Sequence, residues 1–244
     1  MIKGIVKKIL MVLSSLFNRN NDSKIIFYHD IHCDKVYCKE SSTSFELFAK
    51  HIDFINNTNY QIVSDITNSK NQIKIQFDDG FKGIFDCLPF IVENKIPIEI
   101  FLIINKIDTE DYLTIDQILK MNSYEFVRFS SHTVTHSCLN ELSQDQLKQE
   151  LEHSKKYLQK ILSNEIKSIC FPKGMFSNRV VEMAKKMGYE NQYCSIPGSY
   201  TNNMFSDLFN RNLVQCSTVN DLSLILNGGL TIFKPWFKIK HFKG

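Results

Sequence analysis

The alternation of short apolar runs with amphipathic segments constrains the fold of this 244-residue chain more than any other feature. Apolar runs rich in β-forming residues predict buried strands, and segments with apolar residues three or four positions apart predict helices. The predicted strands are 24–28, 73–77, 98–104, 126–130, 168–171, 192–195 and 209–214, and the predicted helices are 44–56, 81–94, 114–122, 143–162 and 178–187. Strands that alternate with helices in this way indicate βαβ units, so we expect an α/β protein with a parallel sheet.

The two ends of the chain differ in composition from the long middle part. We predict an amphipathic or membrane-proximal helix over 1–22, a single domain over 23–230 and a basic, aromatic tail over 231–244. The uninterrupted apolar run 9–17 is too short to span a bilayer. A helix packed on the domain and a helix lying on a membrane surface both fit the N-terminal pattern, and the C-terminal tail fits either a loosely docked segment or a second peripheral membrane contact.

Charge and cysteine content limit the partners and the compartment. The formal net charge is +3, from 29 basic and 26 acidic residues, which is too small to indicate a nucleic-acid partner. Seven cysteines, an odd number without a Cys-x-x-Cys pair, indicate reduced thiols rather than a disulfide framework. We therefore expect a cytoplasmic protein or one associated peripherally with a membrane.

Two adjacent carboxylates, Asp78 and Asp79, follow the predicted strand 73–77 and precede Gly80. Such carboxylates repel each other unless a cation or a proton lies between them. A metal ion resolves the conflict by binding one carboxylate, and the other is then free to accept a proton. The competing interpretation is an Asx turn that caps the next helix.

His132 and His136 follow the predicted strand 126–130. If the segment is helical, residues four apart lie on one face and both imidazoles reach one ion. The alternative is a pair of surface histidines. With Asp79, the two histidines supply one carboxylate and two imidazoles, a set typical of catalytic zinc sites because it leaves positions open for water and substrate.

These motifs, followed by Pro172-Lys173-Gly174, resemble in their order the polysaccharide deacetylase family (NodB homology domain, carbohydrate esterase family 4). The resemblance covers roughly 23–214. Tyr28-His29 and the segment 42–54 are similar to the N-terminal part of the poly-N-acetylglucosamine deacetylase subgroup.

The resemblance implies a distorted (β/α)7 barrel of the NodB type and a metal-dependent hydrolase acting on an N-acetylated carbohydrate. By position, Asp79, His132 and His136 match the ligands of one divalent ion, with Zn²⁺ expected and Co²⁺, Ni²⁺ or Fe²⁺ as alternatives. Asp78 matches the general base.

The remaining site residues also follow from the resemblance. Pro172, Lys173 and Gly174 match the turn that contacts the substrate, with the Lys173 backbone amide as the oxyanion donor, and His29 matches a histidine placed to act as general acid. A C-terminal Leu-x-His motif, the acid in many members, is missing, and His241 lies in the basic tail, so His29 is the better candidate.

An arginine that often holds the catalytic aspartate in this family is replaced here by Cys170. We expect Arg211, in the predicted strand 209–214, to take over by pairing with Asp78, the alternative being an ordinary surface ion pair.

Three functions remain open from the sequence. The leading one is removal of an N-acetyl group from an amino sugar of a cell-surface polysaccharide or its precursor, in a bacterial cell-envelope pathway. The second is removal of O-acetyl groups, and the third is a degenerate member that binds glycan without turnover. The retained ligand set and the spare carboxylate Asp78 favour an enzyme, because a binding module has little need for them.

Overall fold

The computed structural model describes residues 2–33, 35–37, 41–201 and 203–244, without the side chains of Ile2 and Lys3. The strands are β1 (Lys24–Tyr28), β2 (Asp30–His32), β3 (Ser42–Ser44), β4 (Gln61–Ile62), β5 (Gln72–Phe77), β6 (Ile98–Leu102), β7 (Val127–Ser131), β8 (Ser168–Cys170), β9 (Asn191–Tyr193), β10 (Leu208–Phe209) and β11 (Asn212–Leu213). The helices are α1 (Ile2–Phe17), α2 (Phe45–Asn56), α3 (Gly83–Asp86), α4 (Leu88–Glu93), α5 (Ile115–Asn122), α6 (Gln144–Leu162), α7 (Asn178–Lys186), α8 (Val219–Leu226) and α9 (Lys234–His241).

A parallel sheet in the order β10-β9-β8-β7-β6-β5-β1-β11 organises the described part of the chain, with β4 added beside β5. β10 and β11 are at opposite ends of this order, yet only Asn210 and Arg211 separate them along the chain. The two edges of the sheet therefore meet, and the sheet curls into the predicted distorted barrel. We call the junction at Asn210 and Arg211 the seam.

The helices cover the outside of the barrel and pack their apolar sides against the sheet. α6 shows the local cause: Ser143 accepts from the Gln146 N–H, and the Gln146 side chain accepts from the Ser143 N–H, so the two residues form a capping box. Residues at three- and four-residue spacings then face inward, namely Leu147, Leu151, Ser154, Leu158 and Leu162. The clearest helix of the sequence is thus confirmed.

The inside of the barrel is polar, which the sequence pattern did not reveal. β5 is buried along its whole length, although its residues alternate between apolar and polar. Successive side chains point to opposite faces of a strand, and Lys74 and Gln76 lie against the Glu99 carboxylate, at 2.9 and 2.8 Å. Ser130 donates to the other Glu99 oxygen at 2.6 Å. The alternation therefore reflects two buried environments rather than one buried and one solvated face.

Two predicted elements are wrong in detail. The helix predicted over 81–94 is two short helices, α3 and α4, because Pro89 lies in the first turn of the second. The strand predicted over 209–214 is broken at the seam into β10 and β11.

Both ends of the chain contact the domain. α1 packs through Met11 and Ser14, whose hydroxyl donates to the Gly228 carbonyl at 2.9 Å. α9 ends at buried His241, and the adjoining backbone pairs with Phe176. Of the helices in the described part of the chain, none is long and apolar enough to cross a bilayer.

Removal of the buried Glu99 carboxylate should destabilise the protein, because Lys74 is then left inside the barrel without its nearest partner. Asp65 lies 3.4 Å from the Lys74 ammonium and retains part of the pairing, so we expect Glu99→Ala to lower the free energy of unfolding by about 3 kcal/mol. Urea denaturation measures this loss. Glu152→Ala is the matched control, because Glu152 pairs with Lys156 on the solvent side of α6 and should have little effect. Equal stability of the two variants would contradict a buried ion pair.

Candidate active site

The predicted motifs meet at one end of the barrel. Asp78 and Asp79 follow β5, His132 follows β7, and Pro172–Gly174 follows β8 as a short 3-10 turn. The carboxyl ends of parallel strands share one edge of a sheet, so the topology brings these side chains together. All of them except Pro172 border a cavity of about 600 Å³. Other residues of the predicted site that line it are His29, His136 and Arg211.

Three ligand atoms converge on one point in this cavity. The Asp79 Oδ1 atom lies 3.3 Å from Nε2 of His132 and 3.5 Å from Nε2 of His136. Two ligands that bind one ion at about 2.1 Å with a near-tetrahedral angle are about 3.4 Å apart. Asp79 Oδ1 is also buried without a hydrogen-bond partner among the described residues. The chemistry and spacing of these residues fit a divalent cation.

The histidines converge through a loop, so the helical arrangement considered for the His132–His136 pair is not the one that brings them together. Thr133 and His136 have φ values of 69° and 61°, which a helix does not contain. The Glu150 carboxylate on α6 accepts from the backbone N–H groups of Val134 and Thr135, at 2.8 and 3.0 Å. The loop is therefore anchored by a helix that lies outside the motif.

The orientation of His132 is set by its other ring nitrogen. Nδ1 donates to the Cys170 carbonyl at 2.7 Å, which leaves Nε2 directed at Asp79. Burial opposes the charged imidazolium, whereas the neighbouring Cys170 and the carboxylates of Asp79 and Asp78 favour it and hold the pKa of His132 well above its ordinary value. Burial and the nearby His132 lower the pKa of His136 to about 4. The two shifts are opposite in direction, so a proton shared by the pair is favoured on His132 rather than on His136.

Backbone strain concentrates at the motifs. Nine non-glycine residues in the described part of the chain have positive φ, and four of them belong to the motif loops: Asp79, Thr133, His136 and Lys173. Such conformations cost of order 1–3 kcal/mol each and persist where the surrounding structure imposes them, often at functional sites. The side chains of Asp79 and His136 are thus oriented by backbone in a sparsely populated conformation.

Asp78 is held by Arg211 from the seam. Nη1 and Nη2 of Arg211 each donate to one Asp78 oxygen, both at 2.7 Å, and both residues are buried. Burial by itself raises the pKa of Asp78, but the charge and hydrogen bonds of Arg211 outweigh it and hold that pKa well below its usual range. Asp78 is therefore ionised, and each oxygen keeps a second lone pair for another donor.

Cys170 makes room for this arginine. The Arg211 Nη2 lies 2.9 Å from the Cys170 sulfur, and the guanidinium stacks 4.1 Å from the Phe27 ring centre. Asp78, His132 and Cys170 also offer three ligand atoms within reach of one point. A cation there would face the Arg211 guanidinium, whereas the set on Asp79 carries no such repulsion. The Asp79 set is the better cation site.

His29 follows β1 at the rim of the cavity. Its Nδ1 lies 2.5 Å from the Gln215 side-chain oxygen, so Nδ1–H donates to that oxygen. Nε2 then remains available to exchange a proton with a bound molecule. Gln215, just after β11, was not identified from the sequence, because a single glutamine beyond a short strand carries no pattern.

His241 was placed in a tail by its sequence, but it reaches the same cavity from α9. It is 4% exposed, stacks on Phe237, and lies near the Lys173 backbone without a hydrogen bond of ordinary geometry. Burial and the charge of Lys240 lower the pKa of His241 to about 4, so its imidazole is neutral at pH 7.

The turn Pro172–Gly174 closes one side of the cavity. Lys173 has a φ of 58°, and its side chain is exposed at the mouth. Gly174 has a φ of 66°, and a Cβ there would lie 2.5 Å from the Ser195 side chain, so only glycine fits this close approach. A helical turn leaves its first N–H groups without partners within the turn, which frees the Lys173 amide for a ligand.

Comparison with known proteins identifies a family model and one curated relative. The family model for polysaccharide deacetylases matches residues 65–192, more than half of the chain. The Bacillus subtilis (strain 168) protein named "Putative polysaccharide deacetylase YxkH" is 26% identical over 163 residues, which are 62% of this chain. The match spans only 58% of that relative's length.

Two solved structures show the same fold. The Streptococcus pyogenes deacetylase PplD in complex with acetate has a TM-score of 0.73 at 20% identity, over 84% of this chain and 98% of that chain. IcaB from Ammonifex degensii has a TM-score of 0.73 at 16% identity, over 86% of this chain and 98% of that chain. The predicted distorted (β/α)7 barrel of the NodB type is thereby confirmed, and the match to the family model shows that the chain belongs to the polysaccharide deacetylase family.

Proposed function

We propose that this protein is a metal-dependent hydrolase that removes an N-acetyl group from an amino sugar, in a bacterial cell-surface polysaccharide or its precursor. The observation that carries the proposal is the convergence of Asp79, His132 and His136, at 3.3 and 3.5 Å, beside the ionised carboxylate of Asp78. A module that only binds glycan needs neither the ligand set nor the second carboxylate.

The divalent ion, for which we propose Zn²⁺, would be held by Asp79, His132 and His136. When bound, such an ion polarises the acetyl carbonyl and lowers the pKa of water. We assign to Asp78 the role of accepting the proton from the attacking water. Arg211 keeps Asp78 ionised and fixes its orientation, since both guanidinium hydrogen bonds are 2.7 Å long.

The negative charge that develops on the acetyl carbonyl oxygen needs a hydrogen-bond donor close to that oxygen. The Lys173 N–H, with Pro172 and Gly174 shaping its turn, fills this role in the proposal. One such donor is worth about 3–4 kcal/mol in other acyl-transfer enzymes. The exposed Lys173 side chain stays at the mouth, where it can contact the substrate.

The leaving nitrogen needs a proton, and we assign it to Nε2 of His29. Gln215 holds Nδ1 at 2.5 Å and so fixes which nitrogen faces the cavity. His241 is the other histidine on the described wall of the cavity outside the ligand set. Its pKa of about 4 leaves it without a proton to give at neutral pH, which favours His29.

Paired substitutions of the adjacent aspartates test the assignment of their roles. The wild-type protein should hold about one equivalent of zinc and release acetate from N-acetylglucosamine oligomers. Asp79→Ala should lose the metal, because it removes the anionic ligand. Asp78→Asn should retain the metal while kcat falls by about 10²–10⁴, because only the proton acceptor is lost. Metal analysis and an acetate assay measure both.

Retained zinc serves as the fold control for Asp78→Asn. Acetate release from O-acetylated but not from N-acetylated oligomers would show that the protein hydrolyses an ester, and would contradict the proposed amide hydrolysis. A metal-free protein that releases no acetate from any glycan would overturn the enzymatic proposal.

Metal uptake should be coupled to proton release. Because the pKa of His132 lies well above its ordinary value, zinc must displace its proton at pH 7. We expect release of about one proton per zinc, and an apparent Kd that rises about tenfold for each unit of pH decrease below neutrality. Calorimetry in buffers of different ionisation enthalpy measures the proton count. Binding that is independent of pH between about 6 and 8 would contradict a protonated His132 in the metal-free site.

Histidine substitutions separate the acid from its neighbour. His29→Ala should lower kcat for the N-acetylated sugar by about 10² or more, because an amine leaves poorly without a proton. The same variant should hydrolyse 4-nitrophenyl acetate almost normally, since that leaving group needs no proton. His241→Ala is the matched control and should change both rates alike. A selective loss in His241→Ala instead would transfer the acid role to α9.

A further inference from the structure

α1 presents its apolar side to solvent and its polar side to the domain. The side chains of Met11, Ser14 and Ser15 are buried, and Lys8 pairs with Asp221 of α8 at 3.0 Å. The large apolar side chains of the helix are exposed: Ile5, Val6, Ile9, Val12, Leu13, Leu16 and Phe17. At 100° per residue the exposed set spans an arc of about 140°, opposite the buried set. An ordinary surface helix has the reverse arrangement.

The C-terminal segment adds to this surface. Trp236 and Ile239 of α9 and the preceding Ile232 are exposed, and α1 and α9 both pack against the 3-10 turn Thr231–Phe233. Together α1 and residues 231–244 hold ten of the fourteen large apolar side chains that are exposed in the described part of the chain. The apolar exposure is therefore concentrated in two neighbouring elements. We call these two elements the terminal face.

The terminal face is also strongly cationic. Residues 1–17 and 231–244 contain seven lysines and neither aspartate nor glutamate, and the net charge of +3 for the whole chain leaves −4 for the rest. Lys8 pairs with Asp221 on the domain side of α1, so the charge available to a partner lies mainly on the four lysines of 231–244. Lys240 lies 5.4 Å from the Trp236 ring centre, so charge and aromatic surface alternate within α9. An exposed apolar arc with lysines and a tryptophan matches the interfacial region of an anionic bilayer, where acyl chains, headgroups and anionic charge meet.

We propose that the terminal face docks this protein on the surface of an anionic phospholipid membrane. A soluble polyanion would use the lysines but not the apolar arc, and a second copy of the chain would bring like charges together. α1 lies along the surface, because its buried side is bound to the domain. Gly4 and Lys7 of α1 and Phe237 and Lys240 of α9 border the same cavity as the motifs, so docking turns the mouth of that cavity toward the headgroups.

Co-sedimentation of the full chain with lipid vesicles tests this proposal without any assay of activity. We expect binding to mixed phosphatidylglycerol and phosphatidylcholine vesicles, much weaker binding to pure phosphatidylcholine, and loss with rising salt. The triple variant Ile9→Gln, Leu13→Gln, Leu16→Gln should bind at least about tenfold more weakly. The control Leu119→Gln with Met204→Gln, also exposed but away from the cavity, should bind as the wild type does.

A second pair of variants tests the charge. Lys238→Gln with Lys243→Gln should weaken binding to the anionic vesicles by about tenfold or more, whereas Lys148→Gln with Lys160→Gln on α6 should not. Because all these side chains are exposed, unchanged thermal melting should show that the variants are folded.

Three results would overturn the proposal. The first is the absence of vesicle binding together with a dimer, seen by light scattering, that the apolar triple variant no longer forms. This result would mean that the terminal face binds a second copy of the chain. The second is binding to soluble dextran sulfate but not to vesicles, which would reduce the surface to a polyanion site. The third is vesicle binding that the control variants weaken as much as the test variants do.

Discussion

The ion pair between Asp78 and Arg211 joins the fold of this protein to its site. Asp78 directly follows strand β5, and Arg211 lies at the seam between β10 and β11, the two edge strands of the sheet. Both are buried and share two hydrogen bonds of 2.7 Å. Loss of one partner of such a pair leaves a buried charge and costs about 3–5 kcal/mol. The charge on Asp78 therefore stabilises the closure of the barrel as well as the site.

The same pair explains how two adjacent carboxylates take different surroundings. Asp78 continues the inward direction of Lys74 and Gln76 along β5, and the arginine neutralises it. Asp79 has a φ of 72°, which turns its side chain toward His132 and His136. The repulsion between the two carboxylates is thus reduced in two ways. The Arg211 guanidinium neutralises Asp78, and the imidazoles of His132 and His136 lie beside Asp79. In the proposed mechanism this division separates the proton acceptor from the metal ligand.

Much of the fold could be predicted from the sequence, because strand–helix alternation and capping are local. The motifs at the strand ends are also local in sequence. Their meeting at one site could be predicted because parallel strands place their carboxyl ends on one edge of the sheet. The pairing of Arg211 with Asp78 was expected from the family resemblance, but the other features that depend on distant contacts were not found. The His132–His136 loop needs Glu150 of α6, His29 needs Gln215, and the polar residues of β5 need Glu99. His241 and the inverted face of α1 likewise depend on where the chain ends pack.

Anomalous diffraction from crystals of the zinc-loaded protein, recorded at the zinc edge, would locate the ion among the candidate ligands. We expect one peak within about 2.0–2.2 Å of Asp79 Oδ1 and the Nε2 atoms of His132 and His136. We also expect Asp78 to stay paired with Arg211 and outside the coordination shell. A peak on Asp78 and Cys170, or no peak in the cavity at saturating zinc, would contradict the proposed metal site.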